Sequence, residues 1–316
     1  MPIVPASQDA IRKAAEALVR GEIVAFPTET VYGLGANALD ARAVARVFAA
    51  KERPRFNPLI VHVPSLIEAE RYAVFNDTAR KLAQSFWPGP LSLVLPKRQG
   101  CGIADLVSAG LDTIALRAPA HPVAQALLEA AKLPIAAPSA NRSGRVSPTT
   151  AAHVETELGD RPALILDAGP CPLGIESTVV SLVSETPALL RPGALPREVI
   201  ETAFGARLRT AKAEERGASP GQLATHYAPD TKLRLNATSV SPGEALLAFG
   251  PNVPQGARLS INLSESGNLE EAATRLFAAL RELDQAGAET IAVMPIPADG
   301  LGEAINDRLQ RAANRG

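Results

Sequence analysis

The stretch Lys51-Glu52-Arg53-Pro54-Arg55-Phe56-Asn57-Pro58-Leu59-Ile60-Val61-His62 decides how the chain is read. Lys51, Arg53 and Arg55 crowd one short segment. Pro54 and Pro58 punctuate it, and an apolar run carries a histidine at its far end. Upstream, Asp40 to Ala50 reads as a helix, with Val44, Val47 and Phe48 on one face and Asp40 as N-cap. Downstream, Leu59 to Val63 reads as a short strand. The cations therefore occupy a proline-stiffened turn between a helix end and a strand. Basic residues there would also complement the helix dipole without any ligand. The combination favours a site: the prolines restrict the backbone around Arg55 and Asn57. An arginine fork beside a lysine point charge also suits a polyphosphate.

The 316 residues suit two domains, and 46% hydrophobic content allows sizeable cores. Lys plus Arg is 32 and Asp plus Glu is 33, which excludes binding nucleic acid mainly by bulk charge. Any anion must be held by local basic spots. Cys101 and Cys171 stand far apart without ligand-spaced partners, so neither a zinc site nor a disulfide framework is expected. Met1 to Ala6 leads into an amphipathic helix rather than a signal peptide, and no apolar run approaches a membrane span. A cytoplasmic protein is expected.

Working outward, Ser7 to Arg20 reads as a helix ended by Gly21, and Ile23 to Phe26 as a buried strand. Pro27 to Gly35 reads as a loop rich in hydroxyls and glycine. Helices are expected around Ser65 to Tyr72, at Asp77 to Phe86 and at His121 to Ala131. Strands are expected at Leu91 to Leu95, Thr113 to Arg117 and Leu133 to Ala137. Thr113, Ala115 and Arg117 share one strand face, and Arg117 is either a rim charge or a carboxylate clamp. Pro138 to Pro148 is a second hydroxyl-rich loop, able to meet phosphate oxygens. Its Ser147-Pro148 pair also suits the start of a helix near Thr149. Strands follow at Ala163 to Leu166 and Thr178 to Val183, another ends at Leu189 to Gly193, and a helix spans Leu195 to Phe204. Arg207 to Arg216 shows no convincing element, and Ser219 to Pro229 reads as an extended linker. Beyond it, strands at Leu233 to Leu235, Ala245 to Phe249 and Ile291 to Val293 alternate with helices at Leu269 to Gln285 and Leu301 to Ala313. That pattern is a small α/β domain.

No P-loop, dinucleotide fingerprint, nucleophile elbow or metalloprotease helix occurs. The candidate site is built from loops that follow strands, the usual ligand position on an open α/β sheet. With no protein nucleophile evident, the chemistry points to reaction between bound substrates.

Several motifs resemble those of the threonylcarbamoyl-AMP synthases, the YrdC-like family, in its two-domain form. They are Pro-Thr-Glu-Thr-Val-Tyr-Gly-Leu-Gly from Pro27, Lys-Glu-Arg-Pro from Lys51, Asn-Pro-Leu-Ile-Val-His ending at His62, and Trp-Pro-Gly-Pro-Leu from Trp87. Pro-Ser-Ala-Asn-Arg-Ser-Gly from Pro138, Glu-Ser-Thr-Val-Val from Glu176 and Leu-Arg-Pro-Gly from Leu190 follow in order. Ser-Pro-Gly at Ser219 and His-Tyr-Ala-Pro at His226 resemble the linker of the two-domain members. The resemblance implies a twisted, open, mixed YrdC-like sheet flanked by helices over residues 1–205. A linker or lid at 206–230 and a smaller Rossmann-like α/β domain at 231–316 would complete the chain.

It also implies that L-threonine, bicarbonate or CO2, and ATP give threonylcarbamoyl-AMP and pyrophosphate. A transferase would then move the threonylcarbamoyl group to adenosine beside the tRNA anticodon. Lys51, Arg53, Asn57, Thr113, Ser139, Ser147, Arg191 and Tyr227 would serve ATP. Thr30, His62, Arg117, the main chain at Ala137, and Ser177 would serve threonine. Magnesium would arrive with the ATP phosphates, no metal site of the protein's own is expected, and no catalytic side chain is assigned. A non-catalytic RNA- or nucleotide-binding module of the same fold is the alternative, disfavoured by the neutral charge and the lack of an aromatic-basic surface. A carbamoyl-transfer domain of the hydrogenase-maturation kind would bring zinc-finger cysteines and further domains, which this sequence lacks.

Overall fold

The computed structural model describes residues 3–54, 56–211 and 227–314. Arg55 and the stretch 212–226, with Ser219, the residues Gln222 to Thr225 and His226 of the expected linker, lie outside the described residues. The first part of the chain runs β1 (Ile3–Pro5), α1 (Gln8–Val19), β2 (Val24–Phe26), β3 (Gly33–Asn37), α2 (Ala41–Lys51), β4 (Ile60–His62), α3 (Leu66–Ala69), α4 (Asp77–Phe86), β5 (Leu91–Pro96) and β6 (Thr113–Arg117). It continues with α5 (Pro122–Ala131), β7 (Ile135–Ala136), α6 (Ala151–Leu158), β8 (Ile165–Asp167), β9 (Thr178–Ser181), β10 (Ala188–Arg191), α7 (Arg197–Phe204) and β11 (Arg209–Thr210).

These strands form one mixed sheet in the order β1-β8-β2-β3-β7-β4-β6-β5-β9-β10-β11. Strand alternation sorts its side chains between two faces. Val24 and Phe26 pack with α1 and α5, whereas Ile23 and Ala25 join α2, α4 and α6 on the opposite face. Further along, Ile60, Val94, Ala115, Val179 and Leu190 form a small cluster made of strand residues and Ala211. No described helix contributes to it, so this half of the face is left for the cleft.

Local signals act largely as expected. Asp40 caps α2 by accepting from the Arg42 amide, and Ser7 caps α1. The helix after Pro148 begins later than Ser147-Pro148 suggested. Thr150 is its N-cap, accepting from the His153 amide, because the Ser147 hydroxyl is committed elsewhere. Four short strands were not expected from the sequence. β3 lies in the glycine-rich stretch read partly as a loop and closes a hairpin against β2. β1 and β11 add at the sheet edges by pairing β8 and β10.

The fourth is in the C-terminal unit. There, β12 (Lys232–Arg234), β13 (Ala245–Ala248), β14 (Ser260–Asn262), α8 (Leu269–Asp284), β15 (Thr290–Val293) and α9 (Leu301–Ala313) follow. The strands form a separate sheet, β12-β15-β13-β14, with every pairing parallel. Val31, Val146 and Ile175 from the first part pack into this unit's core beside Tyr227 and Phe277.

Backbone meets backbone where the parts touch. Gly174 has φ +72, and a Cβ there would stand 2.4 Å from both the Cα and the carbonyl oxygen of Thr274 on α8. Gly174→Ala is therefore expected to lower the unfolding free energy by about 2–4 kcal/mol, combining left-handed backbone strain with overpacking. Urea denaturation reads this directly, and an unchanged midpoint would contradict the close approach.

Candidate active site

The uncovered half of the sheet face is the floor of a cleft of about 530 Å³, counted to its open mouth. The walls come from the loop after β2, the α2–β4 turn, the loop after β7 and the segment before β9. Residues far apart in sequence meet there because their strands are neighbours: β4 lies between β7 and β6, and β5 joins β6 to β9. Register places His62 opposite Arg117 on parallel β4 and β6. All the residues expected to serve threonine line this cleft: Thr30, His62, Arg117, Ala137 and Ser177. Arg53, Ser139, Arg191 and Tyr227, from the expected nucleotide set, line it too.

Arg117 is not a rim charge. It is buried, donating from Nε to the Gly89 carbonyl (3.2 Å), from Nη1 to Thr30 Oγ1 (2.9 Å) and from Nη2 to Glu29 Oε1 (2.5 Å). Burial pushes the Glu29 carboxyl up, but the adjacent Arg117 outweighs it and leaves the group below its ordinary value. Thr30 Oγ1 also lies 2.8 Å from Thr28 Oγ1. Across the cleft, Ser177 Oγ lies 2.8 Å from Ser92 Oγ, and the Arg191 guanidinium donates to the Ser177 carbonyl (2.8 Å). The Ala137 amide donates to the Ile60 carbonyl (2.9 Å). A main-chain contact from Ala137 to a ligand therefore falls to its carbonyl.

Arg53 is held by the carbonyls of Asn57 (3.2 Å) and Pro58 (3.0 Å). Burial pushes its guanidinium down to about 9. Arg191 is lowered for the same reason. A bound polyanion would relieve both, since it supplies the charge that the interior lacks.

Four of the expected nucleotide residues do not line the cleft. Lys51, in the last turn of α2, runs beneath the loop after β7 instead. Its Nζ donates to the Ser139 carbonyl (2.6 Å) and to the Asn141 carbonyl. Burial and then Arg53 push its ammonium far below the usual lysine range. Asn57 is buried beside Arg53, its Nδ2 without a partner among the described residues. Thr113 shares the cleft face but begins β6, roughly 13 Å from Arg117 at strand rise. Ser147 is turned to Glu176, its Oγ donating to Oε1 at 2.5 Å.

Glu29, Glu176 and Arg308 are parts of the site to which sequence reading gave no role. Both carboxylates sit inside motifs quoted for other residues. Arg308 falls on the buried stripe of α9 with Ala304, Ile305, Leu309 and Ala312. A cation in an apolar stripe was the available signal for it.

His62 is buried, edge-on to Phe26 at 6.2 Å, and its Nδ1 has no partner among the described residues. Burial and then Arg117 push its imidazole down to about 3, and burial takes His153 to about 4. An uncharged ring therefore faces the cleft at neutral pH.

A family model described as "Telomere recombination", covering the Sua5, yciO and yrdC proteins, matches residues 16–193. A second, described as "Threonylcarbamoyl-AMP synthase, C-terminal domain", matches residues 195–314. Threonylcarbamoyl-AMP synthase of Pyrococcus abyssi is 42% identical, covering 96% of this chain and 94% of its own length. The Bacillus subtilis enzyme of the same name is 40% identical, covering 96% and 92%. The crystal structure of P. abyssi Sua5 complexed with L-threonine superposes with a TM-score of 0.90 at 39% identity, covering 97% of this chain and 95% of that one.

The neutral histidines set a pH dependence. In the unfolded chain His62 takes up its proton below about 6.5, whereas in the fold it stays neutral to about 3. The unfolded state thus binds more protons across that window, and stability falls as pH drops through it. Between pH 6 and 5 the carboxyls of Glu29 and Glu176 stay ionised in the fold and mostly so in the unfolded chain. They are common to the chains with and without His62, so the difference between those chains isolates the imidazole. His62→Gln is expected to flatten the stability profile there by roughly 1 kcal/mol per pH unit. Chemical denaturation across that range checks it; an unchanged slope would mean that the imidazole is charged in the fold.

Proposed function

The chain belongs to the threonylcarbamoyl-AMP synthase family, and from that premise we propose how its cleft performs the reaction. It is a nucleotidyltransferase that condenses L-threonine, bicarbonate or CO2, and ATP into threonylcarbamoyl-AMP and pyrophosphate. The observation that carries this reading is the convergence of Arg53, Arg117 and Arg191 with Thr30, His62 and Ser177 in one cleft. An amino acid and a polyphosphate need such a pairing of small hydroxyls with buried cations.

Threonine lies at the Arg117 end of β6, its carboxylate beside that guanidinium and its polar groups near Thr30, His62, Ser177 and the Ala137 carbonyl. The nucleotide extends over the same sheet face towards Thr113, with its phosphates near Arg53, Ser139 and Arg191. The amine nitrogen attacks CO2 and loses a proton, giving a carbamate. A carbamate oxygen then attacks the α-phosphorus, and the bond to the β-phosphate breaks to release pyrophosphate. The residues align the reactants and balance phosphate charge, which is where a site without a nucleophile gains rate. Magnesium would come with the ATP phosphates and would supply further charge neutralisation to the leaving group. Among the described residues, no group of His, Cys, Asp and Glu is gathered to hold a metal. Lys51 and Ser147 act on ATP through the loops and carboxylate they hold.

The proposed division into a catalytic domain at 1–205, a linker at 206–230 and a C-terminal domain at 231–316 draws on two separate sheets and on two successive family models, although β11 at 209–210 still pairs with the first sheet and the models meet at 193–195. The product would pass to a transferase acting on adenosine next to the tRNA anticodon, so tRNA and that enzyme are the proposed partners. No described helix is long and apolar enough to cross a membrane, and a cytoplasmic location fits the proposed partners.

Purified protein given ATP, threonine and bicarbonate is expected to release pyrophosphate only when threonine is present. Threonine-independent release would refute the reaction. Arg117→Ala, combined with Glu29→Gln to avoid stranding a buried carboxylate, should weaken threonine binding at least tenfold with a smaller effect on ATP. That magnitude is about the loss of one buried charge-assisted contact. Equal losses would contradict the assignment.

A further inference from the structure

The C-terminal domain contacts more than the outer surface of the first. On α9, Arg308 is wholly buried. Its Nε donates to Glu176 Oε2 (2.9 Å), and its Nη1 donates to the Pro192 carbonyl (2.9 Å) and to Asp307 Oδ2 (2.7 Å). Its guanidinium carbon stands 5.2 Å from the centre of the Tyr227 ring, and Phe277 stacks on that ring at 5.5 Å.

The contacts made by Arg308 are placed unlike those of a docking pair. Glu176 and Tyr227 both line the cleft. Glu176 immediately precedes Ser177, and Pro192 immediately follows Arg191. The free oxygen of the Glu176 carboxylate accepts the Ser147 hydroxyl. One side chain from the second domain thus touches the carboxylate that fixes Ser147, the carbonyl next to Arg191, and the tyrosine face. Burial alone would push the Glu176 carboxyl up; Arg308, Arg191 and Ser147 hold it below its ordinary value.

A comparison sits on the same helix. Glu303 also bridges the domains, pairing with Arg197 at 2.5 Å, but both groups are part-exposed and neither lines the cleft. Arg281 of α8 adds a third bridge, to Glu157 and to the Val146 carbonyl.

We propose that Arg308 is a positioning residue for the reaction, and that through it the C-terminal domain forms the back wall of the nucleotide subsite. This rests on the reading of the cleft as an ATP and threonine site. Arg308 does not touch the reacting atoms; it acts through Glu176, Tyr227 and the main chain beside Arg191. The predicted signature is a defect larger for ATP than for threonine, since of the threonine side only Ser177 adjoins Glu176, while Thr30, His62 and the Arg117–Glu29 pair do not touch Arg308.

The test uses the full chain, with ATP and threonine affinities measured separately by calorimetry and turnover by pyrophosphate release. Arg308→Gln should weaken ATP binding about tenfold or more, the order expected for loss of a hydrogen bond to a charged group. Threonine binding should fall by a clearly smaller factor, because Ser177 alone among its expected contacts adjoins Glu176. Arg308→Lys should recover part of the loss, and Glu303→Gln should leave both affinities unchanged. If Arg308→Gln does not fold, Arg308→Met with Glu176→Gln removes both buried charges together and should show the same ATP-selective loss. Unchanged ATP affinity, parallel losses of ATP and threonine, or the same loss in Glu303→Gln would overturn the inference. Failure of the unsubstituted chain to bind ATP would overturn the functional reading along with it, so the two failures are distinguishable.

Discussion

Among the described residues, five lysine and arginine side chains, Lys51, Arg53, Arg117, Arg191 and Arg308, are buried, which strips them of bulk solvation. Each must find oxygen acceptors inside the protein or remain a large penalty. Lys51 and Arg53 use main-chain carbonyls at loop turns. Arg117 and Arg308 use carboxylates, and Arg191 reaches the Ser177 carbonyl. Much of the surrounding architecture follows from this demand. The loop after β7, the α2–β4 turn and the segment before β9 each turn carbonyls towards a buried cation instead of a ladder partner. A fold that accepts such a cost holds an interior ready for a polyanion.

The sheet decides where that interior lies. Alternation along β4 and β6 divides their residues between a helix-covered face and an open one, and the open face carries His62 and Arg117 at matched register. A slip of one residue in either strand would turn those groups into the opposite core. The parallel pairing of β4 with β6, and of β5 with β9, brings loops from distant parts of the chain to the same edge.

Much of this was legible in the sequence. Helix periodicity and capping residues found α1, α2, α4, α5 and the two long C-terminal helices to within a residue or two. β1, β3, β11 and β14 escaped because they are short, glycine-bearing or polar, and a two- or three-residue edge strand exists only through its partner. The composition of the cleft was legible through motifs, while the direction of individual side chains was not. Lys51 reads as a phosphate ligand, yet it is drawn under a loop by carbonyls that no local pattern announces. Ser147 reads as a helix cap, yet Glu176 takes its hydroxyl from 29 residues away. Arg308 draws no role from the sequence, because Glu176, Pro192 and Tyr227, which it meets, lie far from it along the chain.

That last contact has a consequence in time as well as in space. Glu176 and Arg308 are separated by 132 positions, and a ribosome makes them in that order at a few residues per second. While the later part is being translated, the nascent first domain holds an acid designed for burial with its principal counter-ion not yet made. The carboxylate must stay hydrated, or keep its proton, until α9 arrives. Maturation of the binding cleft is therefore a late event in biogenesis, set by completion of the second domain.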